Sequence, residues 1–221
     1  MHLKKNIGDP MKQLTGIAIM VFLVAACNLS DKFKKSASTS SNSSNSNSST
    51  SNGDSTADEP TEKPNPTAAQ TAAIANGQEL KWDQQGITWT LPANWKKLDV
   101  RNDTLNYGGD GAFLIVNIST MPASFPTDVS IKAMSEGAKT EKKNGKYDEV
   151  KWLELGGLRG VEFRQSKQER SDDIRRLEWQ AYRKYAGQTQ LVTMILSTSD
   201  GAFPKHEDEL YAIMYSTKLV H

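Results

Sequence analysis

The stretch Ala112-Phe113-Leu114-Ile115-Val116-Asn117-Ile118 decides the fold. It is apolar on both alternations for most of its length, the pattern of a strand covered on both faces. Residues 191–196, Leu-Val-Thr-Met-Ile-Leu, repeat that pattern and read as a second central strand. Two such strands call for a sheet with helices on both sides.

Working outward, Leu80 and Trp82 suggest a first strand, and Gly86 opens Ile87-Thr88-Trp89-Thr90-Leu91, stopped by Pro92. Gly108-Gly109-Asp110-Gly111 lies between two strand-like runs and signals a hairpin. Beyond Pro122 and Pro126, Thr127-Asp128 offers an N-cap. Ile131, Met134 and Ala138 then recur at helical spacing, and Lys139 to Lys143 with Asn144-Gly145 suit a helix end. Val150, Trp152, Leu153 and Leu155 form a strand. Gly156-Gly157 turns it back through Val161 and Phe163. A charged tip over residues 166–173 leads to Leu177, Trp179 and Ala181, which alternate. Phe203, Glu207, Leu210, Ile213 and Met214 lie along a last helix, with Leu210, Ile213 and Met214 at its apolar spacing. Residues 217–220 lead back toward the sheet. The expected fold is α/β of the α+β kind. It is a three-layer α/β/α sandwich around a mostly antiparallel sheet of about seven strands, with two main helices.

The five tryptophans all lie after residue 80, so the core must be built from about residue 79 onward. Residues 79–221 are the expected globular domain, of common size. Residues 27–78 read as a disordered tether, Ser/Asn-rich and without hydrophobic periodicity over 36–55 and Pro-rich over 60–66, with Thr67 to Ala75 suggesting a short helical entry to the domain. Residues 1–26 read as a signal peptide: Lys4, Lys5 and Lys12, then an apolar run over 14–26 too short to span a bilayer. Met1 and Met11 are both possible starts.

The end of that run, Leu23-Val24-Ala25-Ala26-Cys27, resembles a bacterial lipobox. The resemblance implies cleavage before Cys27, a diacylglycerol thioether on it and often a further acyl chain such as palmitate. Several chains together anchor stably. Cys27 is the single cysteine, so no internal disulfide competes for it. The bland alternatives are a plain signal peptide cut after Ala26 or a short buried helix. With lipidation, the chain is attached to the cell membrane or outer membrane, its domain outside the cytoplasm.

Three further segments resemble the PsbP-like fold, which is shared by bacterial envelope lipoproteins. They are Thr90-Leu91-Pro92-Ala93-Asn94-Trp95, Leu155-Gly156-Gly157-Leu158-Arg159-Gly160, and Tyr215-Ser216-Thr217-Lys218-Leu219. The resemblance spans residues 79–221. It implies binding of an envelope protein partner or a role in assembly rather than catalysis, and it transfers no active-site residue.

No nucleophile elbow, phosphate loop, dinucleotide fingerprint or HExxH motif is present, so neither an enzyme nor a cofactor is expected. His206 stands beside Glu207-Asp208-Glu209 and reads as part of a solvated charged face, not a metal site. Loss of residues 1–26 removes Lys4, Lys5, Lys12 and Asp9 and takes the net charge from +1 to −1, unlike a nucleic-acid binder. For a ligand or partner rim, Trp95 follows a proline turn, and Arg164, Arg175 and Arg183 belong to an arginine stripe. Glu162, Glu169 and Glu178 dilute that stripe, and surface solubility is its stronger reading. The alternative function is a carrier of a small apolar or envelope-derived ligand held near Trp95.

Overall fold

The computed structural model describes residues 59–220. The expected signal peptide, Cys27 and the tether up to residue 58 lie outside the described residues. No helix among the described residues is long and apolar enough to cross a membrane.

The chain runs through α1 (Ala68–Ala73), β1 (Gln78–Trp82), β2 (Ile87–Leu91), β3 (Lys96–Val100), β4 (Thr104–Gly109) and β5 (Ala112–Met121). Next come α2 (Thr127–Lys143), β6 (Tyr147–Leu155), β7 (Leu158–Gln165), β8 (Ile174–Tyr185), β9 (Gln188–Ser199), α3 (Phe203–Tyr215) and β10 (Lys218–Leu219). Seven strands form one antiparallel sheet in the order β3-β4-β5-β9-β8-β7-β6. β1, β2 and β10 form a second, three-stranded sheet.

Three hairpins have two-residue turns with both φ angles positive: Asp110-Gly111, Gly156-Gly157 and Ala186-Gly187. Such turns match the right-handed twist of paired strands and fix their register. The expected hairpin at Gly108 to Gly111 is therefore present, and its turn is the last two residues.

One face of the large sheet carries Leu105, Leu114, Val116, Leu177, Trp179, Met194 and Leu196, all fully buried. α3 and the small sheet cover it, contributing Phe203, Leu210, Ile213, Ile87, Trp89 and Leu91 to the same core. On the other face α2 packs over β6, β7 and β8. Ala138 joins Trp152, Val161 and Phe163 there, with Ile131 and Met134 alongside. Burying Leu153 on one face and Trp152 on the other is the ordinary alternation of a strand between two layers.

The expectation that both central strands are covered on both faces holds on the α3 side only. α2 lies over β6 to β8, so Ile115 and Ile195 are half-buried and Phe113 is 38 % exposed. β3 was not expected as a strand. Its residues are polar, and its apolar pair, Leu98 and Val100, points to solvent. β3 is one edge of the large sheet, with a bulge between Lys97 and Asp99.

The folded part also begins earlier than residue 79. Glu62 forms a parallel bridge with Leu153: its N–H donates to Trp152 O and its carbonyl accepts from Glu154 N, both at 2.9 Å. α1 follows with a capping box, in which Thr67 accepts from Gln70 N and Gln70 accepts from Thr67 N. Backbone pairing and a capped turn thus fix a segment whose composition is that of a tether.

Candidate functional site

The main concentration of charge sits between the β6–β7 edge and α3, on the core side of the sheet. The Gly156-Gly157 turn sets its register, pairing Lys151 with Glu162 and Glu149 with Arg164. Opposite charges thus face each other across the hairpin. Glu207, Tyr211 and Tyr215 recur every four residues along α3 and line the same cleft, of about 300 Å³.

Asp148 is the extra residue of a bulge between Tyr147 and Glu149. The bulge re-aims its carboxylate, which accepts from Arg164 Nε at 2.7 Å and from Arg175 Nη2 at 2.6 Å. Arg164 also donates through Nη1 to Glu207 at 2.6 Å and lies 3.5 Å from Glu149. Lys151 Nζ stands 3.0 Å from Glu149, 3.2 Å from Glu62 and 3.7 Å from Glu162. Tyr211 Oη lies 3.2 Å from Glu162 Oε1 and 3.3 Å from Glu149 Oε2, and its single proton serves one at a time.

Glu162 is 0 % exposed, and its Oε2 has no hydrogen-bond partner. Burial pushes its carboxyl up from 4.5 to about 7, against the pull of Lys151. Burial also acts to raise Glu149, but Lys151 and Arg164 outweigh it and hold that group below the usual range. Burial would lower Lys151; Glu162 and Glu149 reverse this and push it up. Burial, then Glu162 and Glu149, hold Tyr211 well above an ordinary phenol. An acid with a raised pKa beside a tyrosine is a familiar general-acid arrangement. Here it is closed off, so no substrate atom reaches Glu162. Its neighbours Lys151, Arg164 and Arg175 are engaged with carboxylates of the same chain.

The four expected rim residues do not form one site. Arg164 and Arg175 meet at Asp148, and Arg175 also lies 4.2 Å over the Phe203 ring. Arg183 is buried at the far end of β8, donating to Gln190 and to Gln85 O. Trp95 is 2 % exposed and belongs to the core instead of a pocket rim. Its indole lies against Gly109, where an added Cβ would come within 2.7 Å of the ring. The Trp95 indole N–H donates to Glu209 at 3.2 Å, and the same carboxylate lies 3.3 Å from His206 Nδ1. His206 is therefore buried beside Glu209 rather than solvated, because it lies on the inner side of the first turn of α3. Among the described residues no group of three His, Cys, Asp or Glu is placed to hold a metal ion.

No family model matches the chain, and no curated protein matches it in sequence. Solved structures do match. LpqN, involved in cell envelope biogenesis of Mycobacterium tuberculosis, is similar over 72 % of this chain and 99 % of its own, at 15 % identity and a TM-score of 0.47. Cyanobacterial PsbP from Synechocystis is similar over 65 % and 92 %, at 14 % identity and 0.43. The Ran-binding protein Mog1p of Saccharomyces cerevisiae is similar over 66 % and 96 %, at 10 % identity and 0.39. No activity or partner is carried from them to this chain.

Sequence reasoning missed Asp148, Glu149, Lys151, Glu207 and Tyr211, and it took Glu162 for a surface charge. Counting outward from Gly156-Gly157 would have paired Lys151 with Glu162. The bulge that turns Asp148 toward both arginines leaves no mark in the sequence pattern.

Proposed function

We propose that the protein is a non-enzymatic lipoprotein of the cell envelope, anchored through Cys27, whose folded unit binds a protein partner along β3. The observation that supports this most directly is the state of the two sheet edges. The β6 edge is met by Glu62 through two backbone hydrogen bonds. β3 lies at the opposite edge with Leu98 58 % exposed, and Phe113 is exposed on the same open half of the sheet.

A free strand edge is a template for an extended segment of another chain, with main-chain hydrogen bonds for affinity and side chains for selection. Lys96, Lys97, Asp99 and the bulge restrict what can pair there. They favour a partner strand with a carboxylate opposite Lys97 and an apolar side chain against Leu98. Anchoring by Cys27 would keep this edge in reach of other envelope components.

The test is site-specific photocrosslinking in intact cells, with the probe at Leu98 or, as a control, at exposed Val129 on α2. We expect one discrete adduct from position 98, none from 129, and loss of the adduct on introducing K97E beside the probe. Cys27→Ser should move the protein out of the membrane fraction after signal cleavage. Equal crosslinking from both positions would overturn the partner assignment. A Cys27→Ser protein that stays with membranes would overturn the anchor.

A further inference from the structure

Residues 59–63 run along the outer edge of β6 and have the side-chain pattern of a strand. Glu62 alone makes a backbone rung there, parallel to β6, at Trp152 and Glu154. The side chains alternate between the two faces of the sheet. Glu59, Thr61 and Lys63 meet Lys139, Arg159 and Glu154 on the α2 side. Glu62 meets Lys151 at 3.2 Å on the α3 side.

Two independent observations show that this cover holds its edge incompletely. The first is where its prolines fall. In a parallel ladder the next rungs on either side would come from the N–H groups of residues 60 and 64. They would donate to the carbonyls of Val150 and Glu154. Those residues are Pro60 and Pro64, which have no N–H to give. The pairing therefore stops at a single rung, and β6 presents acceptors that the cover cannot use. The second is exposure. Glu59, Glu62 and Lys63 are all exposed, and ion pairs formed at such positions contribute little.

The receiving side chains define what else fits. Lys139 and Lys151 take the carboxylates of Glu59 and Glu62. Arg159 donates to Thr61 Oγ1 at 2.7 Å and to the Glu59 carbonyl at 3.1 Å. The edge therefore suits an extended segment with carboxylates three residues apart and a hydroxyl between them. Residues 59–63 of a second copy carry the same prolines and would gain no rung. A segment without proline at those two places gains both.

We propose that the β6 edge is a second docking edge, for an extended acidic segment of another protein, and that residues 59–63 occupy it until that segment displaces them. The incoming strand pairs parallel to β6, sets its carboxylates at Lys139 and Lys151 and its hydroxyl at Arg159, and adds the rungs at Val150 and Glu154. β6 and β3 are opposite edges of the large sheet, so this site is separate from the partner edge at β3.

The test uses the full chain carrying Cys27→Ser and labelled with 15N, with Glu62→Pro added to remove the one rung of the cover. The probe is a peptide of residues 59–66, capped at both ends and carrying Pro60→Val and Pro64→Val. We expect saturable shifts of the Val150, Trp152 and Glu154 backbone amides. Binding to the chain that keeps Glu62 should be about tenfold weaker, because the cover competes. Glu62→Gln, which leaves the backbone rung in place, should tighten binding severalfold over the parent. The peptide with both prolines retained should bind at least tenfold more weakly, having two rungs fewer. So should the probe peptide with Glu59→Lys and Glu62→Lys. Leu98→Lys in the protein should change nothing, so that failure here and failure at β3 remain distinct. The proposal is overturned if the probe shifts none of those amides of the Glu62→Pro protein at millimolar concentration, or if the charge-reversed peptide binds as well. It is also overturned if the same amides shift with protein concentration alone, which would make a second copy the occupant.

Discussion

Replacing Glu162 with glutamine should make the protein more stable at pH 8 than its parent, relative to the same comparison at low pH. Burial raises the folded-state pKa of Glu162 from 4.5 to about 7. As the pH rises, the unfolded chain gives up this proton near 4.5, whereas the folded chain keeps it until about 7. Stability is thus fully present below 4.5 and is lost through the interval up to 7 and just above. Each tenfold difference in proton affinity is worth about 1.36 kcal/mol, so the loss amounts to about 3 kcal/mol. The variant has no proton to lose at that site. Its stability relative to the parent should therefore climb by about 3 kcal/mol between pH 4.5 and pH 8. For a folded unit of this size that is a melting-temperature difference of roughly 6–12 °C. Urea unfolding followed by tryptophan fluorescence across this pH range measures it directly. Taking the difference between the two proteins cancels the carboxylates common to both, among them Glu178 on the opposite face, whose pKa burial also raises. Lys151, whose own pKa is raised by Glu162, pulls the other way. If the parent gains on the variant as pH rises, that attraction outweighs burial and the reasoning is refuted. A difference that stays flat from pH 5 to 8 refutes it as well.

Two further outcomes follow from packing. Gly160→Ala would set a Cβ 2.6 Å from both Gln180 O and the Trp179 indole, atoms held by the β7–β8 pairing and by the Trp179 to Leu153 hydrogen bond. A loss of about 1–3 kcal/mol in urea unfolding is expected; an unchanged midpoint contradicts that close approach. Trp95→Ala should cost about 3–5 kcal/mol, since it empties a core site and strips Glu209 of a donor. A melting temperature within a degree of the parent would return Trp95 to the surface.

Much of the fold was legible, and the reasons differ from element to element. The hairpins were readable because Asp110-Gly111 and Gly156-Gly157 supply the positive φ angles such turns need. α2 was readable because Ile131, Met134 and Ala138 keep helical spacing and do face the sheet. β3 was not, because a solvent-facing edge has no hydrophobic alternation to reveal it. Ile115 and Ile195 misled for the converse reason. An apolar residue on a central strand reads as covered whether or not a helix lies over it. The short helix after Thr67 was legible, whereas the bridge at Glu62 was hidden because backbone pairing asks nothing of the side chain there. Within the charged cleft, residue types were visible but their depth was not. Glu162 and Arg164 are two residues apart on one strand and face, yet only Glu162 is shut away from water by Tyr211.

The bridge at Glu62 has a mechanical consequence. Tension applied to the chain on the N-terminal side of Glu59 enters the fold near the C-terminal end of β6, through two backbone hydrogen bonds and the grip of Arg159 on Thr61 and on the Glu59 carbonyl. These contacts, with the ion pairs Glu59–Lys139, Glu62–Lys151 and Lys63–Glu154 and the short helix α1, should yield before any strand of the large sheet is pulled. Their release pays out the chain up to Gln78, some 60 Å when drawn straight. With the chain anchored through Cys27 as proposed, a tug from the membrane surface would be absorbed as slack, and the β3 edge would keep its shape while the distance to the surface changes.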